Sequence, residues 1–316
     1  MTTLRQFVAE NVYGRVFHSP HWKVGWRRLD ESDLWDTQSM TGTRWNVLPN
    51  PRGRFLTDPI AIERDGRTFL FVEDFDHSRQ KGVISALEFG ERGAVAFFPS
   101  VLEEPWHLSY PFVMELQGAV WMIPESAANR EAALYRADPF PTVWKKEAVL
   151  LPDIAALDST IVRHEDRFWL FTTVENHGRL DLHLFSAPGI FGPWSPHERN
   201  PVLWDARSAR SAGKIVEREG RLWRPVQDCS RRYGAAVGLA EITCLNDHAY
   251  EQRVRSTIAP CREWPGRRLH TLSQAGGFEF IDSSANVLRW KTGTHDLFKD
   301  SRLPEPSRRR LLPTSP

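Results

Sequence analysis

Cysteine is scarce in this sequence. Cys229, Cys244 and Cys261 are the whole complement among 316 residues. Their number is odd and their spacing fits no metal motif, so neither a disulfide scaffold nor a cysteine-built metal centre is expected, and a reducing compartment is the simplest reading. Long apolar runs are missing too: nothing approaches the roughly 18 residues of a membrane helix, and the first twenty residues contain no apolar core of signal-peptide length. A cytoplasmic location is therefore the expectation, with a peripheral membrane contact left open. Net charge is also small. Lys and Arg number 41 against 40 Asp and Glu, a balance of +1, which gives no global field for nucleic acid.

What the chain does have is tryptophan, 13 residues of it, and a repeat. Residues 55–74 read as two short strands around the Asp65-Gly66 turn, with Ile60, Ile62, Phe69 and Phe71 alternating as a half-buried hairpin requires. The pattern returns at 110–126, 158–174 and 212–228, and more weakly at 270–282. The turn residues Gly66, Gly118, Asp166 and Gly220 recur at a spacing of about fifty residues, the period of propeller blades. A blade cannot bury both faces alone, so neighbouring blades must stack around an axis. Between Leu48 and about Trp290, five units fit and six do not. Outer strands are expected at 83–89, 133–137, 180–186 and 234–243. The fold expected is an all-β, five-bladed β-propeller over residues 48–298, with the tryptophans mostly packed between sheets.

Residues 1–47 precede the repeat. A short helix is expected at 4–12. The strand His21-Trp-Lys-Val-Gly-Trp-Arg-Arg28 is expected to pair with the last blade and close the ring. Residues 299–316, with Arg308-Arg-Arg310 and four prolines, read as a basic tail.

In a propeller the first residues of the inner strands crowd at the channel mouth. Here these are Asp58, Tyr110, Asp158 and His270; Glu73, Asp74, Glu125 and Asp228 end the second strands. A carboxylate there would be desolvated and near like charges, which raises its pKa and suits a general acid or a donor to sugar hydroxyls. The structural alternative for Asp58 and Asp158 is to cap backbone N–H groups at their strand starts. The candidate catalytic residues are Asp58, Asp158, Glu125 and Asp228. Two polar stretches flank the fourth blade, 205–214 and 227–234. They offer Arg207, Arg210, Lys214, Arg231 and Arg232, with Tyr233 beside them. Arginine recognises phosphate or carboxylate through paired N–H donors. The alternative for these residues is a salt-bridged loop pair. The candidate substrate contacts are Glu73, Asp74, Tyr110, Arg207, Arg210, Lys214, Arg231, Arg232, Tyr233 and His270. No cofactor and no metal are expected; a lone His270 is more often a satisfied core residue than a ligand.

Several phrases carry a family resemblance: Phe55-Leu-Thr-Asp-Pro, Ser109-Tyr-Pro-Phe, Ile-Pro-Glu-Ser126, Gly192-Pro-Trp-Ser-Pro-His, Asn200-Pro-Val, Asp205-Ala-Arg-Ser-Ala-Arg and Gln227-Asp-Cys-Ser-Arg-Arg-Tyr-Gly. Over about residues 22–290 the chain resembles the N-terminal domain of plant glucosamine inositolphosphorylceramide transferase and its stand-alone bacterial relatives. More distantly it resembles the five-bladed arabinanase and xylosidase type of glycoside hydrolase. The first resemblance implies that the recognised transferase chemistry belongs to a separate C-terminal domain outside these residues. The second implies a first-blade Asp as base, a third-blade Asp that tunes and orients, and a fourth-blade Glu as acid. Asp58 and Asp158 match the first two; the fourth inner strand begins Ser211-Ala-Gly-Lys, with no Glu. Three functions are carried forward: glycosyl transfer in surface glycan or glycolipid synthesis with a phosphate-bearing sugar, inverting hydrolysis with Asp58 as base, and non-catalytic glycan binding.

Overall fold

The structure is a computed structural model that describes residues 17–29, 32–264 and 266–288. The helix expected at 4–12, the tail at 299–316 and the boundary at 298 lie outside them. The described strands form five four-stranded antiparallel sheets, the blades of a five-bladed propeller. Blade one is β3 (Arg54–Arg64), β4 (Arg67–Asp76), β5 (Lys81–Gly90) and β6 (Gly93–Leu102). Blade two is β7 (Ser109–Leu116), β8 (Ala119–Glu125), β9 (Glu131–Ala137) and β10 (Trp144–Pro152). Blade three is β11 (Leu157–His164), β12 (Arg167–Asn176), β13 (Arg179–Ala187) and β14 (Ser195–Pro196). Blade four is β15 (Val216–Arg218), β16 (Arg221–Asp228), β17 (Ala236–Leu245) and β18 (Tyr250–Ile258).

The fifth blade joins both ends of the described chain. β19 (Leu272–Ala275) and β20 (Phe278–Leu288) supply its inner half. β1 (Phe17–Arg28) and β2 (Asn46–Val47) supply the outer half. β1 runs antiparallel to β20, with Trp22 opposite Ser284 and Val24 opposite Asp282. Ladder hydrogen bonds therefore close the ring, and no blade edge is left open at the join.

The inner hairpins follow from turn chemistry. Asp65-Gly66, Gln117-Gly118, Glu219-Gly220 and Gly276-Gly277 all place two successive residues at positive φ, the pattern that matches the twist of a two-residue hairpin. Between blades the packing is aromatic. Phe140 and Trp144 of blade two meet Phe71 of blade one edge-on or tilted, and Phe280 of blade five meets Phe89 of blade one. Trp22, Trp35, Trp121, Trp144, Trp169 and Trp264 are buried, while Trp204 is 62% exposed.

One inner strand is shorter than its sequence suggests. β15 covers three residues, because the chain before it bends at Gly213 (φ 150). A Cβ there would lie 2.1 Å from the Leu272 carbonyl oxygen of blade five. Only glycine allows the two blades to approach so closely.

Candidate functional site

The inner strands of blades one to three share a local device. Each ladder skips in register, between Thr57 and Ile60, Ser109 and Phe112, and Leu157 and Thr160. At each skip one residue adopts the left-handed region: Asp58 (φ 50), Tyr110 (φ 38) and Asp158 (φ 47). A β-bulge re-aims a side chain that the pleat would otherwise direct into a sheet face. A non-glycine residue in this conformation costs on the order of 1–3 kcal/mol, and such strain concentrates at functional sites. Three repetitions at one rim place the strain on the channel mouth.

The first centre there is a carboxyl pair from blade one. Glu73, opposite Thr57 in the ladder, hydrogen-bonds the Asp58 carboxyl. Burial, then the charges of Asp58 and Glu125, push Glu73 well above the usual carboxylate range. Asp58 is raised as well, by burial and by Asp158 and Asp282, with His270 opposing. Of the two, Asp58 faces a counter-charge, His270, whereas Glu73 is pushed up by burial and by like charges. Blade five supplies the cation. His270 Nδ1 stands 2.6 Å from Asp282 and its Nε2 3.3 Å from Asp58. Burial disfavours the imidazolium, but Asp282, then Asp58 and Asp158, outweigh it and hold His270 above its ordinary value. Burial likewise opposes the Asp282 charge, yet His270 keeps that carboxyl below its usual range. Asp282 also accepts the backbone N–H groups of His270 (3.0 Å) and Thr271 (3.1 Å). Trp22 of β1 stacks on the imidazole at 4.0 Å, so the ring-closing strand also walls the site.

The second centre spans blades two to four. Glu125, the last residue of β8, hydrogen-bonds the Asp158 carboxyl and accepts the Asp158 backbone N–H at 3.3 Å. Burial and Asp158 push Glu125 well above the usual range, against the opposing charge of Arg210. Arg210 grips Asp158 with two bonds, Nε to Oδ2 at 2.5 Å and Nη2 to Oδ1 at 3.3 Å, and its Nη2 lies 3.6 Å from Glu125. Gln227 donates to the same Asp158 oxygen at 2.7 Å. Arg210 and Gln227 are thus both directed at Asp158, and Glu125 is the member of the pair that burial and its partner's charge push up. Tyr233, 37% exposed at the rim, lies under the Arg210 guanidinium at 5.1 Å and meets His270 edge-on at 5.1 Å. Arg210 is aimed inward by Arg224, a fully buried arginine. Arg224 donates to the carbonyls of Ser208 (2.8 Å) and Ala209 (2.6 Å) and to Ser211 Oγ (3.1 Å), enclosing the loop around Arg210.

The remaining candidates lie elsewhere. Asp74, next to Glu73, faces between sheets by strand alternation, where it bonds Arg54 and Ser85 at 2.7 Å each; it is not a channel residue. Asp228 accepts from the backbone and hydroxyl of Ser230 and shapes the turn after β16. Tyr110 is fully buried as a support: its backbone N–H donates to Asp58 at 3.1 Å and its hydroxyl reaches the Gly213 carbonyl at 3.2 Å. Lys214 donates to the Ala61 carbonyl at 2.6 Å across the axis, and burial lowers its ammonium to about 8. Arg207 is exposed, and Arg231 and Arg232 face the link into blade five rather than Arg210. Asp282, Gln227 and Trp22 are the site residues that sequence reasoning missed. Asp282 had a signal, since it ends the second strand of the fifth repeat as Glu73 and Glu125 end theirs. Asp58, His270 and Asp282 also offer ligand atoms within 4.8 Å of one another, so they could hold a metal ion. In the structure His270 itself bridges the two carboxylates.

Residues 28–276 match the protein family described as "Glucosamine inositolphosphorylceramide transferase 1, N-terminal". The chain is 35% identical over 230 residues to glucosamine inositolphosphorylceramide transferase 1 of Oryza sativa subsp. indica, covering 68% of this chain and 30% of that protein. It is 34% identical over 243 residues to the Arabidopsis thaliana protein of the same name, covering 72% and 31%. The chain thus spans less than a third of the length of the curated relatives it matches. Among solved structures, a family 117 glycoside hydrolase from the marine bacterium Zobellia galactanivorans superposes with a TM-score of 0.53 at 12% identity, covering 81% of this chain and 80% of that one. At that identity the likeness shows the fold.

Proposed function

The chain belongs to the family of glucosamine inositolphosphorylceramide transferase 1 N-terminal regions, and from its channel we propose a carbohydrate-active protein that transfers a glycosyl group. The observation that carries this reading is two carboxyl pairs at one mouth, Asp58 with Glu73 and Asp158 with Glu125, in each of which a cation stands on the aspartate while burial and the partner's charge push the glutamate well above the usual range. Environments that drive neighbouring carboxyls apart in this way separate a base from an acid. Asp58 takes the proton of an acceptor hydroxyl as that oxygen attacks the anomeric carbon. The bond to the departing oxygen breaks, and Glu125 gives that oxygen its proton. Arg210 and Gln227 hold Asp158 in place beside Glu125, and His270 stands as the counter-charge to Asp58. Tyr233 offers an aromatic face to a sugar ring. The names of the relatives support transfer, as does the fourth blade. The fourth inner strand begins Ser211-Ala-Gly-Lys, without the glutamate acid that the resemblance to the arabinanase type implies.

The test is a thermal-shift screen of sugar nucleotides and phosphorylated glycans, followed by mass spectrometry of products with the best ligand and candidate acceptors. Asp58→Asn and Glu125→Gln should each abolish turnover while retaining the fold. Turnover that survives both variants sinks the proposal. Label from ¹⁸O-water in the released sugar, without an acceptor product, replaces transfer by hydrolysis. Binding without turnover in the unmodified chain leaves a glycan-binding module.

A further inference from the structure

A second feature opens on the same face as the channel mouth. β16 ends beside the start of its inner strand, and β18 ends beside the start of β17, so the turn 229–235 and the link 259–271 both lie at that end. Between them is a cavity of about 740 Å³. Arg231, Arg232, Arg262 and Arg267 line it together with Trp264 and Cys261, and no carboxylate does. The arginine ion pairs among the described residues engage other arginines and none of these four. Glu263, the nearest acid in the chain, is fully exposed and hydrogen-bonded to Cys261. The walls are tied together: Arg232 donates to the Arg267 carbonyl at 2.7 Å, and the Leu269 N–H to the Gly234 carbonyl at 2.9 Å.

Four guanidinium groups around one cavity repel each other, and among the described residues no carboxylate lines the cavity or pairs with them. An anion would relieve that repulsion, and the planar paired donors of arginine match phosphate oxygens two at a time. The cavity adjoins the channel. Tyr233 directly follows Arg232 and its ring meets His270, while Gly234 lies against Trp22, His270 and Arg268, close enough that a Cβ would sit 3.2–3.5 Å from them. We propose that this cavity binds a phosphate or diphosphate carried by the carbohydrate that occupies the channel, an inference that rests on the reading of the channel given above. A volume of this size accommodates more than one phosphate. The chemistry is shared by a sugar nucleotide and by the phosphorylated headgroup of a glycolipid.

Calorimetric titration of the full chain separates these cases. The probes are inorganic pyrophosphate, uridine diphosphate and inositol 1-phosphate. Pyrophosphate should bind, lose affinity as salt rises, and bind at least about tenfold more weakly to Arg262→Gln/Arg267→Gln, since each charge-assisted bond lost is worth that order. Both residues lie at the surface, so the double variant should fold. Asp58→Asn should bind pyrophosphate as the unmodified chain does. If Asp58→Asn retains turnover while pyrophosphate binding still depends on the arginines, the channel reading fails and the anion site stands. Tighter binding of uridine diphosphate assigns a nucleotide donor; tighter binding of inositol 1-phosphate assigns a headgroup. Equal affinities in the double variant and the unmodified chain, or no binding of any probe, overturn the site.

Discussion

The two halves of the channel mouth solve one problem with different cations. In blades one and five, His270 holds the Asp58–Glu73 pair and is itself balanced by Asp282. In blades two to four, Arg210 holds the Asp158–Glu125 pair and, among the described residues, makes no ion pair with a further acid. An imidazolium titrates near neutrality and a guanidinium does not. The cation of the half with the base therefore responds to pH, and the cation of the half with the acid does not. The supports differ too. His270 precedes a regular strand, while Arg210 sits in a loop shaped by Arg224 and by the glycine bend that shortens β15.

The most severe way to break the comparison is to remove the support on the arginine side. Arg224→Leu leaves the carbonyls of Ser208 and Ala209 and the hydroxyl of Ser211 without their buried donor. We expect a loss of about 3–5 kcal/mol in urea unfolding. A loss under about 1 kcal/mol would show that the loop holds itself.

Next come the two aspartates. Asp158→Asn leaves Arg210, whose side chain is 16% exposed, with only the longer 3.6 Å contact to Glu125, and should destabilise by about 3 kcal/mol. Asp58→Asn leaves His270 paired with Asp282 and removes a like charge from Glu73, so its effect should stay below about 1 kcal/mol. Equal effects would mean that the two cations are held alike.

The pH response sharpens the contrast. His270 has a folded pKa above its ordinary 6.5. Its contribution is fully present below 6.5 and is lost as pH rises through the folded value. Glu73 and Glu125 are raised above 4.5, so in the folded protein they keep protons that the unfolded chain releases, and stability also falls as pH rises above 4.5. The melting temperature should therefore decline from pH 6.5 upward. His270→Gln should flatten that part of the decline that begins at 6.5, whereas Arg210→Gln should not. A parallel slope in His270→Gln would remove His270 from the balance. The smallest effect belongs to Arg207, exposed and outside both centres. Arg207→Ala should change stability by less than about 0.5 kcal/mol and leave ligand affinity in calorimetry unchanged.

Much of this was legible in the chain. Asp65-Gly66, Gln117-Gly118 and Glu219-Gly220 mark their hairpins because a two-residue turn demands positive φ and little else. Asp58, Asp158, Glu73 and Glu125 share a phase within the repeat, which is why they meet. The same period of two shows why Asp74, one residue beyond Glu73, must face away. Asp282 had the right phase in a repeat copy too weak to display it.

The arginines divide what sequence and tertiary structure each decided. Turns, alternation and repeat period depend on residues a few positions apart, so the sequence alone determined the five blades and the shared phase of Asp58, Asp158, Glu73 and Glu125. It also placed the Arg207–Arg210 and Arg231–Arg232 loops at one end of blade four. The direction of each guanidinium depends on contacts that no local period encodes. Arg224, fourteen residues on, turns Arg210 inward to Asp158, while Arg262 and Arg267, some thirty residues on, share a cavity with Arg231 and Arg232. How far each glutamate is pushed above its ordinary range was likewise decided only by the folded ring, because desolvation and charge there are summed over blades that the chain brings together from end to end.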